Sequence, residues 1–530
     1  MRRTLLFPGT LLGLAWAGAA LAQPALDPRD ARIQQLEQMV QSLSAKVDSL
    51  EARVGGAPSI PVAAAVGSTV PPILTVNPPP PPLPNNGGVS ILAGKPNITS
   101  GDGRFSATFH GVMQFDAANY QQDPAKPTSV DFRRGAAATD TARARDLNSG
   151  TNFRRARIGI DGKLYNDWEF NVLYEFGGAG EEDAGHVQEM WVQYSGKKPF
   201  HARIGAFPPS IGLEDQASTN GAPFLERPAV ADMARGLTGG DFREAAEVWA
   251  NGAQWYVNAG VSGRVVGVVN SQATGVTQPF DTALNYIGRI SFLPVKGDDW
   301  LVLTGVHGSY VDKPADIGGP DGAMGSRYGI TIQERPELRV DGTRLVSTGA
   351  INARHASTRG AEAAVQYRNF FVEGEYERFD IERYNPAAGV KDPMFRGAYV
   401  EGTWVLTGER RKFNPNTWAF DAPTVDHPAS LDSGTWGAIE LAARWSTIDL
   451  NFMEGLPGTA PGSSAVRGGA QTITTFGVNW YANAAVRFML DFQHVDINRL
   501  SPAASTFSTP TGAQIGQKYD VLMLRSQMAF

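Results

Sequence analysis

The stretch GQKYDVLMLRSQMAF at 516–530 is an alternating strand that ends on an aromatic, Phe530. In an extended chain successive side chains point to opposite faces. Leu522, Leu524, Met528 and Phe530 therefore share one face, and Val521, Met523, Arg525, Gln527 and Ala529 share the other. A terminal strand frays unless its edge finds a partner. In a closed barrel that partner is the first strand, which makes the last residue structural. The competing reading is the last strand of a secreted β-sandwich.

The other end of the sequence bears on that choice. Residues 1–22 carry Arg2 and Arg3, a mostly apolar stretch from Leu5 to Ala20, and Ala20-Leu21-Ala22 before Gln23. These are the three parts of an export signal. No later run approaches the eighteen or so apolar residues of a spanning helix. A hydrophobic fraction of 42% suits a barrel with one lipid face and one wet face, and 59 glycines supply its turns and bulges. The absence of cysteine removes disulfides, thiolate metal sites and cysteine nucleophiles. A formal charge of -6 argues against nucleic acid as a partner.

Residues 23–54 are expected to form a coiled-coil helix. Ile33, Val40, Val47 and Val54 recur every seven residues, with Leu36, Leu43 and Leu50 between them. The pattern specifies association without fixing its order. Residues 55–103 are rich in Pro, Ala and Gly, with five prolines in succession at 78–82. They read as an extended, semi-rigid linker. From Arg104 to Phe530 the period becomes two, as in Trp168, Phe170, Val172, Tyr174 and Phe176 against Asp167, Glu169, Asn171 and Glu175. The fold class is all-β, a transmembrane antiparallel β-barrel.

The periodic segments number sixteen, near 104–119, 153–164, 167–177, 186–195, 200–207, 243–250, 253–262, 284–293, 299–310, 358–368, 370–381, 396–407, 435–453, 471–481, 484–496 and 517–530. Their connections alternate short and long, which places both barrel ends on one side of a membrane. The stretch 408–434 breaks the rule, being long where a short turn is due.

Several segments resemble the phosphate-selective porin O and P family of bacterial outer-membrane porins. They include Phe153-Arg154-Arg155-Ala156-Arg157-Ile158-Gly159 with GKLYNDWEFNVLYEF after it, RIGAFPPSIGLE at 203–214, GAEAAVQYRNFFVEGEYERF at 360–379, YVEGTWVLTGERR at 399–411, GAIELAARWSTIDLN at 437–451 and FGVNWYANAAVRFMLDFQHVD at 476–496. The resemblance implies a sixteen-stranded homotrimeric barrel whose lumen carries an arginine ladder, with anion-binding lysines at the constriction. Arg154 and Arg155 match the paired arginines of the family's second strand. Arg335 and Arg339, in ERPELR, match an arginine cluster on a loop that folds inward. The first-strand arginine is Val112 here, the lysine after GLE is Asp215, and no lysine occurs from Pro199 to Val295. Pore architecture is thus implied more strongly than phosphate selectivity.

Alternation alone puts Arg155, Arg157, Arg203, Arg289, Arg444 and Arg487 on the wet face. Arg154 shares the parity of Ala156 and Ile158 and belongs at the rim or beside a bulge. A column of guanidinium forks replaces an anion's water shell in steps. The competing reading is that each arginine braces the wall against a lumen carboxylate, and Glu175, Glu362, Glu373, Glu375, Glu377, Glu401 and Glu440 are available. Glu373, Glu375 and Glu377 alternate down one strand as an acidic wall. The third loop, 208–243, supplies the constriction if it folds inward.

No G-x-S-x-G elbow and no H-x-x-x-H pair occurs. The expectation is a porin, not an enzyme, with no cofactor and no metal. It passes small hydrophilic solutes by diffusion and favours small anions such as phosphate. The alternatives are a general diffusion porin and a tether to the cell wall with a structural barrel. Expected partners are two further copies, outer-membrane lipid, small anionic solutes and peptidoglycan through the coiled coil, which would project into the periplasm.

Overall fold

The computed structural model describes residues 87–530 apart from 93, 123–146, 178–184, 239–241, 266–282, 315–328, 502–510 and 513. The expected signal peptide, the coiled coil and residues 55–86 of the linker lie outside the described residues. A hairpin of β1 (Gly88–Leu92) and β2 (Lys95–Thr99) falls inside the stretch read as linker, and β2 pairs with the start of the first barrel strand.

Among the described residues, sixteen strands then form the wall. They are β3 (Ser106–Gln122), β4 (Gly150–Leu164), β5 (Trp168–Glu175), β6 (His186–Tyr194), β7 (Phe200–Phe207), β8 (Arg243–Asn251), β9 (Trp255–Val265), β10 (Leu284–Lys296) and β11 (Trp300–Lys313). After two short strands in a loop, β12 (Gln333–Glu334) and β13 (Val346–Ser347), come β14 (Ala353–Tyr367), β15 (Phe370–Arg383) and β16 (Met394–Val405). A small hairpin of β17 (Arg411–Asn414) and β18 (Ala419–Pro423) intervenes before β19 (Ala438–Phe452), β20 (Val466–Tyr481), β21 (Val486–Asn498) and β22 (Lys518–Ala529).

Each wall strand pairs antiparallel with the next, and β22 returns to β3 with Tyr519 opposite Gln122 and Ala529 opposite Val112. Gly111 and Phe530 exchange backbone hydrogen bonds at 3.0 Å in both directions, so no edge is left at the C-terminus. The Gly111 α-carbon lies so close under the terminal ring that a Cβ there would stand 2.8 Å from Phe530 Cζ. The terminal aromatic thus caps the seam that its own strand closes.

Alternation sets which side of the wall each residue takes. Leu522, Leu524 and Met528 are exposed on the outer face while Val521, Met523 and Arg525 are buried inside. Aromatics cluster on the outer face where strands meet the short turns. Phe370 stacks on Trp404 at 5.3 Å, Trp300 meets Tyr367 at 4.3 Å and Trp168 meets Tyr194 at 5.1 Å. Amphipathic rings at that height form the belt a membrane interface favours. The tight turn after β4 is the three-residue connection 165–167, in which Tyr165 and Asn166 both take positive φ (53° and 68°). No described helix is long and apolar enough to cross a membrane.

Candidate functional site

The interior of the barrel begins at a break in the β3–β4 ladder. Gln114 pairs with Arg155 and Phe115 with Phe153, so Arg154 is an extra residue in β4. A β-bulge of this kind re-aims side chains. It turns both arginines inward, 4% and 5% exposed, although simple alternation would send one of them to lipid. Arg154 clasps Glu226, with Nε to Oε1 at 2.7 Å and Nη2 to Oε2 at 3.2 Å. Arg155 donates from Nη1 to Gln114 Oε1, and Gln114 in turn donates to Gln527 Oε1 at 2.7 Å. The Arg155 Nε is buried without a hydrogen bond, and the residue makes no ion pair among the described residues.

Glu226 belongs to the loop 208–242, which carries α1 (Leu213–Gln216) and α2 (Ala229–Leu237). The loop folds into the barrel and is pinned across the lumen. Wall carboxylates accept from its backbone: Glu375 from Leu213 N (2.6 Å) and Glu214 N (3.1 Å), and Asp491 from Leu225 N (3.1 Å). Glu337, on a second inward loop, accepts from Ala229 N at 2.9 Å. Wall donors reach its carbonyls: Arg444 to Glu226 O (3.0 Å), Asn479 to Pro223 O (2.9 Å) and Gln527 to Asn220 O (2.9 Å). Burial opposes ionisation of Glu226, but Arg154, Arg155, Arg525 and Arg339 overcome it and hold its carboxyl well below the usual range.

Most of the expected channel arginines meet carboxylates. Arg157 pairs with Glu175 at 2.6 Å and Arg289 with Glu362 at 2.9 Å. Arg444 pairs with Glu337 at 2.6 Å and approaches Glu401 at 3.5 Å. Arg339 lies between Glu226 (3.8 Å) and Asp232 (3.6 Å), and Arg335 donates to Gly342 O at 3.0 Å within the same loop. Two arginines stand apart with Arg155. Arg203 sits among the rings of Trp191, Phe207 and Trp249, 4.5 to 5.1 Å from each, and donates to Gln193. Arg487 lies over Tyr481 at 4.5 Å and donates to Asn220 O at 3.3 Å, while its Nε and Nη2 are buried without partners. Neither makes an ion pair among the described residues.

Among the described residues, several further buried arginines stand outside the expected channel set, including Arg525, Arg227, Arg235 and Arg411. Arg525 shares the wet face of the closing strand, so alternation was sufficient to find it; it binds Asp116 through two 2.6 Å hydrogen bonds. Arg227 and Arg235 brace the inward loop, and Arg411 pairs with Glu440 at 2.7 Å. These three lie off the wall strands, where period two carries no signal.

The long connection 406–437 also turns inward. Its β17–β18 hairpin packs Phe420 on Phe371 (4.5 Å) and Trp418 on Tyr256 (5.9 Å), and the Thr417 and Trp418 carbonyls accept from Arg289 at 3.0 and 2.8 Å. It fills part of the lumen at the short-turn end. The acidic wall faces the lumen too. His307 lies between Glu362, at 3.2 Å, and Glu377, with Glu375 at 4.0 Å, so that its ring and Arg289 share the charge of that group. Glu214, Glu373 and Glu401 bring three carboxylate oxygens within 4.8 Å of one another.

A closed wall of sixteen strands with inward loops and an arginine-lined interior is the architecture of a diffusion channel. A model of the family described as phosphate-selective porin O and P matches residues 130–521. The chain belongs to that family. Porin O of Pseudomonas aeruginosa is 27% identical over 349 residues, which are 63% of this chain and 74% of that protein. Among solved structures, the chain is similar to an anion-selective porin from Comamonas acidovorans, with TM-score 0.44, 11% identity, and coverage of 80% of this chain and 100% of the other. It is similar also to OmpT, an outer membrane protein of Vibrio cholerae, with TM-score 0.42, 10% identity, and coverage of 81% and 98%. As a member of this porin family the chain is an outer-membrane channel of the bacterial cell, and its wall strands are what crosses the bilayer.

Proposed function

We propose that this porin passes small hydrophilic solutes by passive diffusion and prefers small anions. The observation that carries the preference is the contrast among its lumen arginines. Arg154, Arg157, Arg289, Arg444 and Arg525 are neutralised by carboxylates, whereas Arg155 and Arg487 are not. A guanidinium without a carboxylate partner leaves positive potential on the lumen wall, which favours anions in the channel. Phosphate passes as one small anion among others, because Val112 and Asp215 stand where the family places an arginine and a lysine. Chloride current through purified channels should therefore show little block by micromolar phosphate; strong block would establish a phosphate site that these residues do not predict.

The same reading makes the assembly a homotrimer and puts the short-turn end, with both chain termini of the barrel, in the periplasm. Residues 1–22 act as the export signal. The coiled coil of 23–54 then extends from the periplasmic mouth toward peptidoglycan, at about 1.5 Å per residue. Deleting residues 31–54 should leave a conducting trimer, judged by heat-modifiable gel mobility and channel recordings. Recovery of monomer alone would make the helix the trimerisation element.

A further inference from the structure

The geometry points to a calcium site inside the barrel, formed by Glu214 of the inward loop with Glu373 and Glu401 of neighbouring wall strands. Glu373 on β15 and Glu401 on β16 are directly opposed in the ladder. Like charges in that position destabilise a sheet unless something lies between them. Glu214, on α1, brings a third carboxylate over the pair, and one oxygen from each of the three lies within 4.8 Å of the other two. All three side chains are nearly removed from solvent: Glu214 is 2% exposed, Glu373 4% and Glu401 1%.

Protein groups answer this charge only in part: Arg411 acts on Glu373 and Glu401 but is itself held by Glu440 at 2.7 Å. Glu373 makes neither a hydrogen bond nor an ion pair among the described residues. Glu214 Oε2 and Glu401 Oε1 are buried without any hydrogen-bond partner. The remaining oxygens meet cations that are already engaged. Arg444 reaches Glu401 Oε2 at 3.5 Å while holding Glu337 at 2.6 Å, and Arg227 approaches Glu214 Oε1 at 3.6 Å while donating to Ala217 O at 2.7 Å. Thr403 Oγ1, two residues from Glu401 on the same face, is a further buried oxygen without a partner. The nearby His307 group, in contrast, answers its own charges with an imidazole and Arg289.

The donor set is oxygen only, which suits a hard cation. Calcium binds oxygens at about 2.3–2.6 Å and tolerates irregular shells, so two of its ligands stand at most about 5 Å apart. The observed spacing fits that limit. An ion here would tie α1 to β15 and β16, fixing the loop that narrows the lumen, and would cancel negative charge on the acidic wall. The site stands on these contacts whether or not the channel prefers anions.

The test uses the full chain, purified in detergent, freed of lipopolysaccharide and treated with chelator, with calcium itself as the probe. Equilibrium dialysis with radioactive calcium should show one saturable ion per chain. Glu373→Gln and Glu401→Gln should each weaken binding by roughly tenfold or more, because ligand charge sets affinity at such sites. Calcium should raise the unfolding temperature of the wild type and not that of the double variant. Both substitutions keep shape and remove repulsion, so the variants should fold, as heat-modifiable mobility will report. The absence of saturable binding to the wild type at low millimolar calcium, or equal binding by folded variants, would overturn the assignment.

Discussion

Arg525 on the last strand and Asp116 on the first clasp each other across the seam that closes the barrel, Nε to Oδ1 at 2.6 Å and Nη2 to Oδ2 at 2.6 Å. Both are almost fully buried, and Arg525 Nη2 also reaches Glu226 at 3.0 Å, so one guanidinium joins the seam to the inward loop. Removing one partner of a buried pair strands the other charge and costs about 3–5 kcal/mol. Arg525→Met should therefore lower the unfolding temperature sharply. Adding Asp116→Leu should recover much of the loss, because the stranded carboxylate disappears. Equal instability of the single and double variants in thermal melts would contradict this account of the seam.

The loop pin at Arg154 and Glu226 should resist acid. The depressed pKa of Glu226 means that its stabilising charge is fully present above the unfolded value of about 4.3 and is lost only as pH falls through the lower folded value. The destabilisation caused by Glu226→Gln should consequently be the same at pH 7 and pH 5. A destabilisation that grows from pH 7 to pH 5, measured by denaturant melts of the detergent-solubilised protein, would show that the folded carboxyl takes up a proton above the usual range and would contradict this account.

Two glycines at close backbone approaches should respond differently to alanine. At Gly205, with φ +137°, a Cβ would stand 2.2 Å from the Met190 carbonyl oxygen, which the ladder holds in place. At Gly111 its close contacts would be with the Phe530 ring, which can rotate, while the Arg157 carbonyl oxygen stands at an ordinary 3.5 Å. Gly205→Ala should cost about 1–3 kcal/mol or more, as overpacking does, and Gly111→Ala clearly less. Thermal melts that rank them the other way would show that the terminal ring is held as rigidly as the sheet.

Replacing 408–434 by a short turn should raise single-channel conductance. The β17–β18 hairpin occupies lumen volume at the short-turn end, and its removal takes from Arg289 two carbonyl acceptors but leaves Glu362 in place. Unchanged conductance in a folded variant would place the limiting section of the pore elsewhere, at the loop 208–242.

The wall was legible because period two is a one-dimensional signal. All sixteen strands lie within a few residues of the segments read from alternation; β20, which begins at Val466, five residues early, is among the larger departures. What alternation could not give was anything set across the lumen. Alternation gives Arg154 the parity of Ala156 and Ile158 and leaves it at the rim or beside a bulge; only the ladder, with its break opposite Gln114 and Phe115, places it at the bulge and turns it inward. The pairing of Arg289 with Glu362 depends on contacts 73 residues apart, and that of Arg525 with Asp116 on contacts 409 apart, which no local pattern encodes. The hairpin at 411–423 appeared in the sequence only as a connection longer than its place allowed. Composition hid β1 and β2 as well, since they lie within a Pro-, Ala- and Gly-rich stretch.

The central claim is that uncompensated arginines set the selectivity of an open channel. It is tested most directly by the reversal potential of purified channels in a potassium chloride gradient. The wild type should conduct and reverse on the anion side. Arg155→Gln with Arg487→Gln should shift the reversal toward zero without loss of the folded barrel, whereas Arg154→Gln, which removes a paired charge, should chiefly destabilise. A cation-selective wild type, or a reversal potential that is the same in the Arg155 and Arg487 double variant, would contradict the account.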